Sequence, residues 1–196
     1  MDIAAFIRSI NPFDLLVLLV MFALFILGFI QGTVRRLLGI GAILFSFLLA
    51  AQLRAPLGDF LARYWTQFTP EYAVMLGFGL VFVTGVVVTS LLIQTFYKKT
   101  PLFPKYTVVD EVIGGTLGIV QGALLLGFAI IILDTFFLVP GIPVLNTELP
   151  FLRAFHEAYN TSGTATIFRD NLIPVFLAVT GPLVPDAVKA FFTAGA

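Results

Sequence analysis

The sequence predicts an all-α integral membrane protein: a four-helix transmembrane bundle followed by an amphipathic, interfacial helical tail. Three observations predict it. Of the 196 residues, 59% are hydrophobic and 11% charged, whereas a soluble domain is about 45–50% apolar and about 25% charged. The mean hydropathy is +1.04, more apolar surface than a soluble fold of this size can hide. Finally, four uncharged or nearly uncharged runs approach the roughly 20 residues that a spanning helix needs. They are continuously apolar rather than alternating, and helices pair every backbone group within the segment, so they are read as helices.

The first run covers residues 13–30 and carries only Asp14; Asn11-Pro12 before it is a turn and helix-start signal. Its n-region holds Asp2 as well as Arg8, and no A-x-A-like site ends it, so it is read as a retained helix rather than a cleaved signal. The second, 37–51, lies between Arg35-Arg36 and Arg54. It is short, which implies local bilayer thinning or arginines that snorkel to the headgroups. The third covers 72–96 and ends at Lys98-Lys99; the fourth covers 112–133, bracketed by Asp110-Glu111 and Asp134. Residues 1–137 thus form a membrane domain and 138–196 a tail.

In the tail, Pro140, Pro143 and Pro150 break the chain. Phe151, Leu152, Phe155 and Tyr159 then recur at helical spacing, with Arg153, His156, Glu157 and Asn160 opposite, an amphipathic helix suited to the headgroup region. Residues 161–164 read as a small polar loop. Residues 172–184 are apolar but interrupted by Pro174, Gly181 and Pro182, which predicts an interfacial or re-entrant segment rather than a fifth span. Val188, Phe191 and Phe192 mark one more short amphipathic turn.

Lysine and arginine near span ends stay on the cytoplasmic side. The first link carries Arg35 and Arg36 and the third Lys98, Lys99 and Lys105; the opposite side has Arg8, Arg54 and Arg63, with Arg153 further off. This places links one and three inside and both termini outside.

Net charge is zero and there is no cysteine, so neither a nucleic-acid partner nor thiol chemistry is expected. His156 is the only histidine; a multi-histidine metal site cannot be built, no nucleophile motif accompanies it, and neither enzymatic activity nor a cofactor is expected.

The most informative pattern opens the fourth span. Asp110, Gly114, Gly118 and Gly122 stand at four-residue steps, with Gly115 beside them, and residues at i and i+4 share a helix face. Gly28 and Gly32 are four apart; Ala73, Gly77, Gly85 and Thr89 share a face of the third span. Small residues let membrane helices approach closely where lipid gives no hydrophobic drive between them. Two readings stay open: packing within one bundle, or a seam for a homo-oligomer or the helix of another membrane protein. Ser46, Thr84, Thr89 and Thr116 are expected to bond to their own helix carbonyls. Gln121, the one amide deep in a span, is expected to glue two helices or to line a polar path. Asp110 reads as a helix-start acid at the positive end of the dipole. No charge is expected at mid-depth, which disfavours an ion-coupled pump.

Asn11-Pro12-Phe13-Asp14, then Gly28-Phe29-Ile30-Gln31-Gly32 with Arg35-Arg36, and above all Val109-Asp110-Glu111-Val112-Ile113-Gly114 with Gly118, Gly122 and Leu133-Asp134, resemble the colicin V production protein family. The resemblance covers about residues 10–137; Gln31-Gly32 stands where Arg-Gly is usual. It implies a four-span bacterial inner-membrane protein linked to colicin V production or export, a toxin biosynthetic process, and to envelope maintenance. Similar domains anchor periplasmic serine proteases through an external C-terminus. The family has no established catalytic residues, so the resemblance carries over only Asp110, Gly114, Gly118 and Gly122, as packing or functional candidates. The function expected is that of a non-catalytic scaffold or accessory; the alternative is a small oligomeric channel or transporter.

Overall fold

The computed structural model describes residues 11–64, 70–97, 102–103, 105–138, 155 and 157–180. Within them lie four helices long and apolar enough to cross a membrane. Helix α1 spans Pro12–Gln31. Asn11 caps it, its Oδ1 accepting from Phe13 N at 2.8 Å, and Pro12 fills the first position, where no N–H is needed. The link to α2 is the single residue Gly32, with φ 81° and ψ 174°, a backbone region open in practice only to glycine. Its N–H closes α1 by donating to Gly28 O at 2.9 Å.

Helix α2 runs Thr33–Tyr64, α3 Pro70–Phe96 and α4 Thr107–Leu138. Helix α2 packs along α3 and α1 along α4, and α2 against α4 joins the two pairs. The lateral order is therefore α1, α4, α2, α3. Residues facing one another across α1 and α4 number in opposite directions, as do those across α2 and α3; across α2 and α4 they rise together, Thr33 with Asp110, Arg36 with Gln121 and Phe47 with Phe128. Neighbours α1–α4 and α2–α3 are thus antiparallel and α2–α4 parallel. Apolar side chains such as Leu18, Phe22, Val83 and Leu91 point away from the bundle, an exposure that lipid accommodates and water does not.

The second helix extends past both ends of the apolar run 37–51. It is 32 residues long and carries Arg35, Arg36, Arg54 and Pro56 within it. Charge interrupts an apolar run without ending a helix, and Arg36 is turned inward rather than snorkelling: it is 5% exposed.

The core is aromatic. Phe47 stacks on Phe128 at 4.4 Å between ring centroids, and Phe82 meets Phe128 edge-on at 5.1 Å. Phe176 of the tail enters the same cluster, 5.3 Å from Phe47 and 4.8 Å from Phe128, in the edge-to-face geometry that ring quadrupoles favour.

The tail also departs from expectation. Residues 155 and 157–160 are helical, but the stretch read as a polar loop starts a helix: α5, Gly163–Ile167, continues through a π-helical turn, Phe168–Leu172, into α6, Ile173–Thr180. Ser162 is its N-cap, accepting from Ala165 N at 3.0 Å; short polar residues favour caps as much as loops. Pro174, read as a breaker, is absorbed. It has no N–H to donate, and the wider turn ahead of it lets Ile173 N bond to Phe168 O instead. The remaining expectations for 139–154, His156 and 181–196 lie outside the described residues.

Candidate functional site

Four-residue spacing puts Gly114, Gly118 and Gly122 on one face of α4, and that face lies on α1. A Cβ on Gly28 would collide with the Gly114 carbonyl oxygen, and one on Gly114 would stand 2.5 Å from the Gly28 oxygen. A Cβ on Gly118 would collide with the Leu24 carbonyl oxygen; one on Gly122 would lie 2.7 Å from Met21 Sδ. Gly115 receives the Phe25 ring, 2.8 Å from where its Cβ would be. The two backbones therefore touch over about one turn of α4, at Gly114 and Gly118, while Gly122 lies against the side chains of Met21 and Leu24; a residue with a side chain does not permit that approach. A second close approach joins α2 and α3: Gly77 lies against Gly58 and the Arg54 backbone, and Gly85 against Ser46.

The seam ends in polar contacts at both ends. On the link side, Asp110 is 3% exposed. Its Oδ1 accepts from Leu102 N at 3.1 Å and its backbone oxygen from Thr33 Oγ1 at 2.9 Å. Its Oδ2 would be 2.5 Å from a Cβ at Gly32. Asp110 thus holds the third link and faces the single-residue first link, more than the helix-start role its position suggests. One turn into α2, Arg36 Nη1 donates to Gln121 Oε1 at 2.7 Å. A buried guanidinium therefore lies between α2 and α4, near the start of α2. Charge pattern alone assigned Arg36 to the headgroups; the signal available was that Gln121, deep in α4, needs a polar partner. Ser46, Thr89 and Thr116 donate to their own helices, at Ala42, Gly85 and Val112 oxygens, as expected of hydroxyls in lipid-embedded helices.

At the opposite end, α1 holds the tail. Asp14 Oδ1 accepts from Ser162 Oγ at 2.5 Å and from Thr164 N at 3.0 Å, and Oδ2 from Gly163 N at 3.3 Å. These donors open α5, where a carboxylate also meets the helix dipole. Asn11 Nδ2 donates to Ala158 O at 2.8 Å, and Tyr159, fully buried, donates from its hydroxyl to Ile130 O at 3.3 Å. The Arg169 guanidinium lies 4.5 Å from the Tyr159 ring centre, within cation–π range. Composition gave no sign of this latch, because Asp14 and Ser162 lie 148 residues apart.

Asp14→Ala removes the acceptor of three donors at the start of α5, a loss of about 1–2 kcal/mol by the usual value of a helix cap. Hydrogen–deuterium exchange of the full chain in detergent should rise in 160–176 and stay unchanged in α2 and α3.

Among the described residues, no group of three or more histidine, aspartate or glutamate side chains is placed to hold a metal ion. The arrangement consists of helix-to-helix contacts, with one guanidinium set between α2 and α4.

Comparison with known proteins adds to this geometry. The family described as Colicin V production protein matches residues 13–158. A Haemophilus influenzae protein named Colicin V production protein homolog is 29% identical over 116 residues, covering 57% of this chain and 66% of the relative. The match therefore spans just under two thirds of that relative's length. No solved structure matches the chain.

Proposed function

The chain belongs to the colicin V production protein family, and from that membership we propose a non-catalytic inner-membrane scaffold or accessory in toxin production or export, or in envelope maintenance. The observation that carries the reading is how the polar side chains in the spans are used. Asp14, Thr33, Asp110 and Gln121 each bond to another segment of the same chain. They act as connectors between segments, which suits a protein that works by holding its shape against a partner. On this reading the small-residue row of α4 is a packing device, and the partner surface lies elsewhere on the bundle.

The family name makes colicin V export the first assay. Deleting the gene in a colicin V-producing strain should lower secreted toxin, and the intact chain should restore it. Crosslinking in native membranes followed by mass spectrometry should then recover the same partner in producing cells. Unchanged secretion in the deletion strain contradicts the export role and leaves envelope sensitivity to detergents as the phenotype to score.

The proposed orientation has both termini outside. A reporter fused after Ala196 should be active only in its periplasmic form; cytoplasmic activity reverses the assignment.

A second reading, a small oligomeric channel, draws on Arg36 and Gln121 meeting between α2 and α4. It requires ion flux from purified protein in liposomes that Gln121→Leu abolishes; tight vesicles contradict it.

A further inference from the structure

The Arg36 guanidinium is shut into the protein with its charge unbalanced. Among the described residues its only hydrogen bond is to the neutral amide of Gln121, and its Nε is closed off with no acceptor. No carboxylate among the described residues pairs with it, and its sequence neighbour Arg35 is of like sign. An unpaired charge in a membrane interior is costly, and such groups are found paired or lining a wet site. Guanidinium presents its donors as a planar fork, and the Nε edge of that fork matches two oxygens of a phosphate or carboxylate.

The surroundings leave a way in. Gln121 and Gly39 are both partly exposed. Gly39 packs closely on the amide, and a Cβ there would lie 2.9 Å from Gln121 Nε2. Because Oε1 takes the arginine, Nε2 is a donor on the Gly39 side. Arg36 also sits only three residues into α2, about 4.5 Å of helix rise from its start. That is the end where the first link meets Asp110, within reach of a headgroup or of water.

We propose that Arg36 and Gln121 form a binding site for a phosphate-type oxyanion between α2 and α4. Arg36 presents its Nε edge to two oxygens after a rotamer step, Gln121 donates from Nε2, and the ligand supplies the missing negative charge. The phosphate is carried by a lipid headgroup or is free in solution; the chemistry is the same.

The test uses the full chain in maltoside micelles, which contain no phosphate. Its thermal midpoint is measured with phosphatidylglycerol, with inorganic phosphate, and with diacylglycerol as the headgroup-free control. The wild type should rise by several degrees with phosphatidylglycerol, with inorganic phosphate, or with both, and not with diacylglycerol. A response to the lipid alone assigns the headgroup; a response to both shows that the free oxyanion suffices. Arg36→Lys keeps the charge and loses the fork, and should bind at least about tenfold more weakly. Arg36→Met removes the cation at similar length and should abolish the response. Absence of any phosphate-dependent shift in the wild type overturns the site. So does a shift in Arg36→Lys and Arg36→Met equal to that of the wild type.

Discussion

Gly118→Leu should lower the thermal midpoint in detergent by roughly 6–12 °C, the shift that about 3 kcal/mol produces in a chain of this size. The leucine Cβ would fall on the Leu24 carbonyl oxygen, and the atoms beyond it would meet Phe25 Cα. Both obstacles are backbone, so no rotamer change relieves them; the helices must separate. Overpacking a core costs about 1–3 kcal/mol where side chains can shift, and this site sits at the upper end because they cannot. Separation also strips Gly114 and Gly28 of their contact, so damage spreads along the seam. Gly41→Leu is the control on a different helix: nothing lies within 4 Å of its added Cβ, and its midpoint should match the wild type. Equal losses in the two variants would mean that the cost is leucine for glycine in a helix, with no seam involved.

Gln121→Leu should cost about 1.5–3 kcal/mol, the usual value of a hydrogen bond to a charged group. It removes the one acceptor Arg36 has among the described residues and strands a buried guanidinium. Because the penalty lies in the stranded charge, a second substitution should relieve it. In phosphate-free micelles, Arg36→Met with Gln121→Leu should recover most of the lost midpoint, since replacing both partners by apolar groups is close to neutral. A double variant as unstable as Gln121→Leu would place the loss in side-chain packing and not in polarity. The cycle is clean because the two side chains meet directly and the residues lie on different helices.

These two sites show what was legible in the sequence. The spans could be placed because a bilayer has a thickness, and an apolar run either fills it or does not. The row Asp110, Gly114, Gly118, Gly122 could be read because a four-residue repeat defines one helix face. Which neighbour lies on that face could not be read: periodicity gives a direction on α4 and says nothing of α1 against a second copy. Arg36 escaped for a related reason. Beside Arg35 at the edge of a span it looks like a headgroup anchor, and only the position of α4 reveals that its side chain turns to Gln121. The tail failed on local rules. Ser162-Gly163-Thr164 suits a loop as well as a cap, and the choice is made by Asp14, far away in sequence. Pro174 reads as a stop because an α-helical turn has no place for a missing donor, whereas the π-helical turn before it does. Long-range contact decided the face's neighbour, Arg36 and the Ser162 cap, and single-residue tendencies do not contain it; Pro174 was decided by the turn beside it.

The central claim is that α1 and α4 of one chain close the glycine seam on each other. The chain has no cysteine, so a pair introduced as Met21→Cys and Gly122→Cys reports on that seam alone, where Met21 Sδ lies 2.7 Å from the Cβ position of residue 122. Oxidation in native membranes should give a crosslink within one polypeptide, seen as a reducible mobility shift of the monomer band. A reducible dimer on mixing the two single-cysteine chains, with no crosslink inside the double-cysteine chain, would show that the seam belongs to an oligomer and contradict the account.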